Sequence, residues 1–218
     1  MAKLKIGVLG TGDVGQVLGA GFAALEHDVK IGSREPGSDK VKKWLARAGA
    51  QGSAGSFADA ARFGDVVVLA TSWGGTKNAL ELAGPANLSG KVLIDATNPL
   101  DFSHGMPPRL AVGHTDSGGE NVQRWVPQAR VVKCFNIVGN PHMVRPSFPG
   151  GNPDMFLAGN DADAKKTVSE LCQELGWSAP IDLGGIECAR YLEPLAMIWV
   201  SYMFRSGSGN HAFALLRK

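Results

Sequence analysis

Gly10-Thr11-Gly12-Asp13-Val14-Gly15 follows directly on the apolar run Lys5-Ile6-Gly7-Val8-Leu9 and opens a small-residue segment, residues 14–25, with Gly19 and Gly21 inside it. Three glycines at this spacing suit a strand that turns sharply into a helix. The first permits the tight turn, the second leaves the backbone bare, and the third lets the helix lie close on the strand. Asp28-Val29-Lys30-Ile31-Gly32 then reads as a second strand, about 18 residues after Gly10, which is the length of a right-handed βαβ crossover. A chain that begins this way is committed to a parallel sheet with helices across its faces.

The rest of the chain keeps that rhythm. Residues 41–48 and 57–63 read as helices, Val66-Val67-Val68-Leu69-Ala70 and Lys91-Val92-Leu93-Ile94-Asp95 as strands buried on both faces, and residues 130–135 as the last strand of the sheet. Strands alternating with helices predict an α/β fold, a Rossmann-type doubly wound parallel sheet. Pro141, Pro146, Pro149 and Pro153 with Gly150 and Gly151 then interrupt any regular element. The expected domains are therefore 1–140, a nucleotide-binding Rossmann domain; 141–153, a Pro/Gly-rich connection; and 154–218, a small C-terminal α/β appendage that completes a substrate cleft. Within the appendage the pattern predicts a strand at 155–158, a helix at 162–175, a strand at 181–183 and an apolar helix from Cys188 onward.

Composition narrows the function classes. A net charge of +2 with no dense Lys/Arg run gives no reason to expect nucleic acid. Cys134, Cys172 and Cys188 are odd in number and far apart, which suggests neither a disulfide framework nor a metal site. No apolar tract reaches the roughly 20 residues of a membrane span, and no export signal is read at the start. The expectation is a cytoplasmic protein that acts on small molecules.

The glycine turn ends at a helix N-terminus, whose free N–H groups and partial positive charge receive a diphosphate. The residues after the second strand, Gly32-Ser33-Arg34, decide which dinucleotide fits. A carboxylate there would repel a 2′-phosphate, whereas a guanidinium and a hydroxyl donate to it, so NADP(H) is expected over NAD. Glu35 is the competing reading, since it would serve a bare ribose if the turn were shifted. Lys40 adds charge in the next turn or is merely a solvated lysine.

These residues resemble the NADP oxidoreductases dependent on coenzyme F420, a deazaflavin. The likeness rests on Gly10 to Gly15, Gly32-Ser33-Arg34, the Thr71-Ser72-Trp73 turn, Val131 to Asn136, and Asp182-Leu183-Gly184 leading into residues 188–195. Asn98-Pro99-Leu100 with Lys133-Cys134-Phe135-Asn136 is also similar to the NADPH-binding domains of membrane metalloreductases. The resemblance implies that Thr11, Gly12, Asp13 and Val14 line the diphosphate and that Ser33 and Arg34 hold the 2′-phosphate. It further implies that Trp73, Lys77, Leu100 and Asn140 border the cofactor toward its ribose and nicotinamide, and Ser72, Asn98 and Pro99 beside them are expected to bind the cofactor too. Two positions depart from the pattern: Ser38 stands where relatives carry a basic residue, and residues 96–100 are less apolar than in the deazaflavin enzymes. The second ring cofactor is accordingly open between F420 and a flavin, FMN or FAD.

Hydride passes directly between two stacked rings, so the protein's task is orientation and exclusion of water. The sequence contains no HExxH, no Ser-His-Asp arrangement and no evident carboxylate pair. His142 and Lys133, near the end of the last strand, are the candidate proton donors if the substrate is instead a small carbonyl or imine. A non-catalytic NADP(H) sensor is the third reading. Asn98 is the best polar candidate near the nicotinamide, because its amide can donate to a carboxamide or a flavin carbonyl. The stripe Leu192, Leu195, Ala196, Trp199, Val200 and Met203 follows helical spacing and reads as core or as a homodimer interface.

Overall fold

The computed structural model describes residues 2–216. The strand β1 (Lys5–Leu9), the helix α1 (Asp13–Ala24) and the strand β2 (Asp28–Gly32) form the first crossover, and α2 (Asp39–Ala48), β3 (Gly52–Gly55), α3 (Phe57–Phe63), β4 (Val66–Leu69), α4 (Trp73–Ala83) and β5 (Val92–Asp95) follow. A short antiparallel ribbon, β6 (Leu100–Asp101) with β7 (Arg109–Leu110), leads to α5 (Gly118–Trp125) and β8 (Arg130–Lys133). The chain closes with β9 (Phe156–Gly159), α6 (Ala162–Glu174), β10 (Ile181–Asp182) and α7 (Ala189–Ser206).

Eight strands form one sheet in the order β10-β9-β8-β5-β4-β1-β2-β3. The six from β3 to β8 are parallel, β9 runs antiparallel to β8, and β10 is parallel to β9. The chain winds outward from β1 through β2 to β3, then crosses back to place β4 on the other side of β1. Where the winding reverses, the loops after β1 and β4 lead away from each other and open a crevice at the carboxyl ends of the strands.

Local chemistry accounts for each layer. Ile6 and Val8 of β1 with Val66 and Val68 of β4 face one core, which holds Leu18 and Phe22 of α1, Val41 and Trp44 of α2, and Val168 and Leu171 of α6. Leu9, Val67 and Leu69 face the other, which holds Ala60 of α3, Leu80 of α4 and Val122 of α5. Alternate residues of one strand thus serve opposite faces. On α2 only Val41, Trp44 and Ala48 are buried while the lysines face outward, the stripe expected of a helix lying on a sheet. α3 starts with a capping box in which the Ser56 hydroxyl accepts from the Asp59 N–H and the Asp59 carboxylate accepts from the Ser56 N–H.

Several expectations are corrected. Residues 130–135 are not the last strand of the sheet: β9 and β10 extend it, so the C-terminal α/β segment continues the sheet edge to edge. The turn through Asn140–His142 is a short 3-10 helix inside the Pro-rich connection. The strand Gly52–Gly55 has no β-branched residue to announce it; it is held by its backbone ladder to β2. His27, between α1 and β2, is buried, with Nδ1 accepting from the Leu4 N–H at 3.1 Å and Nε2 2.9 Å from Glu174 Oε2.

Candidate functional site

The crevice between the loops after β1, β2 and β4 is a cleft of about 470 Å³. Gly10, Thr11, Gly12, Ser33, Arg34 and Ser72 of the sequence-predicted residues line it, joined by the competing Glu35 and by Ser38 and Lys40. Gly10 has φ +121°, and a Cβ there would collide with the Ala70 carbonyl. Gly15, buried one turn into α1, lies so close under the Gly10 carbonyl that a Cβ would collide with that oxygen. Gly12 differs: a Cβ there would meet nothing nearer than the Ala70 carbonyl oxygen at 3.9 Å. The fold requires the first and third glycines, whereas the second keeps bare a surface that belongs to the cleft.

Gly12 is also the N-cap of α1 and supplies no side chain to the helix end. The first-turn residues Asp13, Val14 and Gly15 therefore present backbone N–H groups without a side-chain cap, the arrangement that attracts an anion. Across the cleft, Ser33 Oγ accepts from the Glu35 N–H at 3.0 Å, which fixes the hydroxyl oxygen and leaves its hydrogen to donate. Arg34 is exposed beside it at the rim. An uncapped helix end faces a guanidinium with an ammonium close by, and the exposed Glu35 shares that rim. A Cβ-free turn, an uncapped helix and a cationic rim fit a dinucleotide carrying a 2′-phosphate.

The remaining predicted residues lie along the neighbouring strand ends. Trp73 is half-buried at the start of α4 and stacks on Trp125, with ring centroids 5.4 Å apart, while Lys77 is exposed on the same helix. After β5, Asp95 Oδ1 accepts from the Thr97 N–H at 2.9 Å and its hydroxyl at 2.7 Å, a tight turn that carries Asn98 and the buried Pro99 at the carboxyl end of this interior strand. The Leu100 N–H donates to the Asn98 carbonyl at 2.8 Å, and the Pro99 carbonyl accepts from Ala111 at 2.7 Å, so the β6–β7 ribbon anchors this loop. Asn140 is half-buried in the turn that follows β8.

Lys133 has to be withdrawn as a donor. Its ammonium is fully buried, 3.0 Å from Asp95 Oδ2 and 2.8 Å from Glu193 Oε1. Burial alone would lower its pKa, but the two carboxylates overcome that and raise it, so the proton is held rather than offered. Glu193, from α7, also accepts from the Gly118 and Gly119 N–H groups at 2.8 and 2.9 Å, closing the N-terminus of α5. Gly118 lies among this carboxylate, Trp73 and Pro99. The cluster ties β5, β8, α5 and α7 together beneath the predicted nicotinamide end. His142 is partly exposed, its Nε2 3.1 Å from Asn210 Oδ1 and its ring 4.6 Å from that of Phe148.

Sequence reasoning gave no site role to Phe57, Ala70, Gly75, Asn78 and Ala79, or to Thr71 beyond quoting its turn, yet all of them line the cleft. Phe57 opens α3 behind the capping Ser56, so the capping box was the signal for its position. It also missed Glu193, whose carboxylate sits within an apolar run. Among the described residues no group of His, Cys, Asp and Glu is placed to hold a metal ion, and no helix is long and apolar enough to cross a membrane.

Residues 5–99 match the family model described as NADP oxidoreductase coenzyme F420-dependent. The F420-dependent NADP reductase of Methanocaldococcus jannaschii is 31% identical over 90% of this chain and 91% of its own. Metalloreductase STEAP3 of Rattus norvegicus is 28% identical over 88% of this chain, which spans only 36% of that protein. A crystal structure from Arthrobacter sp., described as a candidate F420-dependent NADP reductase, superposes with a TM-score of 0.93 at 42% identity, covering 98% of this chain and 100% of that one. A reductive aminase from Aspergillus terreus shares the fold at a TM-score of 0.66 and 19% identity, with 94% of this chain and 63% of that one covered.

Proposed function

The chain belongs to the coenzyme F420-dependent NADP oxidoreductase family, and from that premise we propose that it exchanges a hydride between NADP(H) and a second ring cofactor, the deazaflavin F420 or a flavin. One observation carries the reading: the bare turn at Gly12, the uncapped start of α1 and the Ser33-Arg34 pair border a single cleft. Thr11, Gly12, Asp13 and Val14 hold the diphosphate through backbone N–H groups, with Gly10 and Gly15 shaping the turn. Ser33 and Arg34 hold the 2′-phosphate, and Lys40 supplies the charge that Ser38 lacks. Ser72, Trp73, Lys77, Asn98, Pro99, Leu100 and Asn140 border the ribose and nicotinamide.

When bound, the two ring systems supply the redox chemistry. The protein's residues orient them and keep water out. Residues 1–140 carry the nucleotide, 141–153 connect, and 154–218 complete the second cofactor's side of the cleft. A small-substrate reductase needs a proton donor at the cleft, and the sealed environment of Lys133 removes one of its two candidates. The reading includes a reducing, cytoplasmic setting, in keeping with three free thiols. It also includes a homodimer; Leu192 and Ala196 of the α7 stripe are buried, Leu192 in the core, so the contact would fall to the face on which Tyr191, Ile198 and Tyr202 are exposed.

The test is calorimetric titration with NADPH, NADH, F420 and riboflavin phosphate, the last two repeated on NADP-loaded protein, followed by spectroscopic assay of F420 reduction by NADPH. Tight binding of NADPH together with one ring cofactor, and turnover between them, is the expected result. Binding of NADPH with neither ring cofactor would overturn the two-cofactor reading. Sedimentation of a monomer at all concentrations would overturn the dimer.

A further inference from the structure

Along the later turns of α1, at the end of the helix away from Gly12, lies a second cavity of about 210 Å³. Its floor is apolar: Val17 and Ala20 of α1, Val144 of the Pro-rich connection and Leu175 at the end of α6 line it. Gly21 draws these elements together, since a Cβ there would collide with the Val144 and Leu175 side chains. The rim carries three charged groups, Arg47 from the last turn of α2, Arg145 and Glu174. No residue is shared with the nucleotide cleft.

The three rim charges are not equivalent. The Glu174 carboxylate is engaged, with Oε2 2.9 Å from His27 Nε2. Among the described residues the guanidinium groups of Arg47 and Arg145 have no hydrogen-bond or carboxylate partner, whereas those of Arg62, Arg124 and Arg190 are each paired with a carboxylate. Arg145 is moreover held at φ +50°, in the left-handed region where a Cβ is crowded. Its N–H donates to the Leu175 carbonyl at 2.7 Å, and Gly176 lies so near that a Cβ on it would press on the Arg145 Cα. Glycine would take this backbone without cost. An arginine there is a strained residue with an unspent guanidinium at the mouth of a cavity, the combination found at ligand clamps.

Two unpaired guanidinium groups call for an anion, and each matches a carboxylate through two parallel hydrogen bonds. Glu174 on the same rim opposes a doubly charged head group more than a singly charged one. The floor calls for a hydrocarbon body, and the volume equals that of about seven water-sized groups. We infer that this cavity binds a small monocarboxylate with an apolar body of about six carbons, its head on Arg47 and Arg145 and its body along α1. The site stands independently of the hydride-transfer reading, because it borrows nothing from the nucleotide cleft.

The experiment is an NMR titration of the isotope-labelled protein with hexanoate, hexan-1-ol and acetate, which carry both parts of the ligand, the body alone and the head alone. Hexanoate is expected to saturate in the millimolar range or below and to bind at least about tenfold tighter than either of the others. Its amide shifts should concentrate at residues 17–25, 144–145 and 174–176. Arg145→Gly is the deciding variant: glycine relaxes the backbone, so the melting temperature should stay within about three degrees of wild type, while hexanoate affinity falls at least about tenfold. Ala24→Phe, which places a ring in the cavity from an exposed position, should abolish the shifts. Hexanol binding as tightly as hexanoate would overturn the inference, since the arginines then read nothing; acetate doing so would overturn it because the floor then contributes nothing. No saturation by about 10 mM, or an unchanged hexanoate affinity in either variant, would also overturn it. So would shifts confined to residues 10–15 and 33–34, which would put the carboxylate at the glycine turn as a plain anion.

Discussion

The cleft and the cluster at the neighbouring strand ends are built in opposite ways. The cleft at Gly12, Ser33 and Arg34 is made of the exposed turn at Gly12 and the exposed cations Arg34 and Lys40, and it leaves α1 uncapped. The end at Asp95, Asn98, Lys133, Asn136 and Glu193 is dry, with almost every polar atom matched to a partner from a distant part of the chain. The first holds charge by offering unsatisfied donors, the second holds shape by satisfying them. Substitutions at the open end should therefore act on ligand binding, and substitutions within the Asp95, Lys133 and Glu193 cluster on stability.

The largest effect belongs to the dry end. Lys133→Met leaves two buried carboxylates without their shared cation, and stability to urea should fall by about 3–5 kcal/mol. Binding of adenosine 2′,5′-bisphosphate by the fraction still folded should not change; a matched loss of both would show that the two ends are not separable. Next is Gly12→Val, where the space beside Gly12 predicts an unchanged urea midpoint but a loss of dinucleotide affinity of at least about a hundredfold. Arg34→Ala should cost NADPH about 1.5–3 kcal/mol of binding free energy and leave NADH nearly unaffected; an equal loss for both would mean that the arginine does not read the phosphate.

The smallest effect lies on the seam between α5 and α7. Hydrogen bonding to Arg190 holds the Glu120 carboxyl below its ordinary 4.5, against the opposing effect of burial. A lowered folded-state pKa means that the pair contributes fully above 4.5 and that the contribution disappears as pH falls through the lower folded value. Melting curves should show Tm falling about one to two degrees more steeply on acidification in the wild type than in Glu120→Gln. Parallel curves would remove this pair from the account.

The same contrast explains what could be read in advance. Gly10 to Gly15 and Ser33-Arg34 are contiguous in sequence because a turn and a strand end place them, so local pattern sufficed for the open end and for the strands beside it. Val66 to Leu69 announced itself as a doubly buried strand for the same reason. The dry end is assembled from residues 38 to 98 positions apart, such as Asp95, Lys133 and Glu193, and no local pattern links them. Glu193 was invisible because one carboxylate inside an apolar run looks like a helix surface until its partners are in place. Lys133 was misjudged for a related reason: the end of a strand usually faces ligand, but here β9 and α7 cover it.

One consequence follows from the unfinished start of α1. A dinucleotide that satisfies the N–H groups of the first turn binds only the folded chain and so becomes part of its folding equilibrium. At a free concentration a hundred times its dissociation constant it adds about 2.7 kcal/mol to global stability. Amide hydrogens in α1 and β1 should then exchange with solvent more slowly as nucleotide is added. The persistence of the folded chain in a cell thereby becomes coupled to the size of the nucleotide pool.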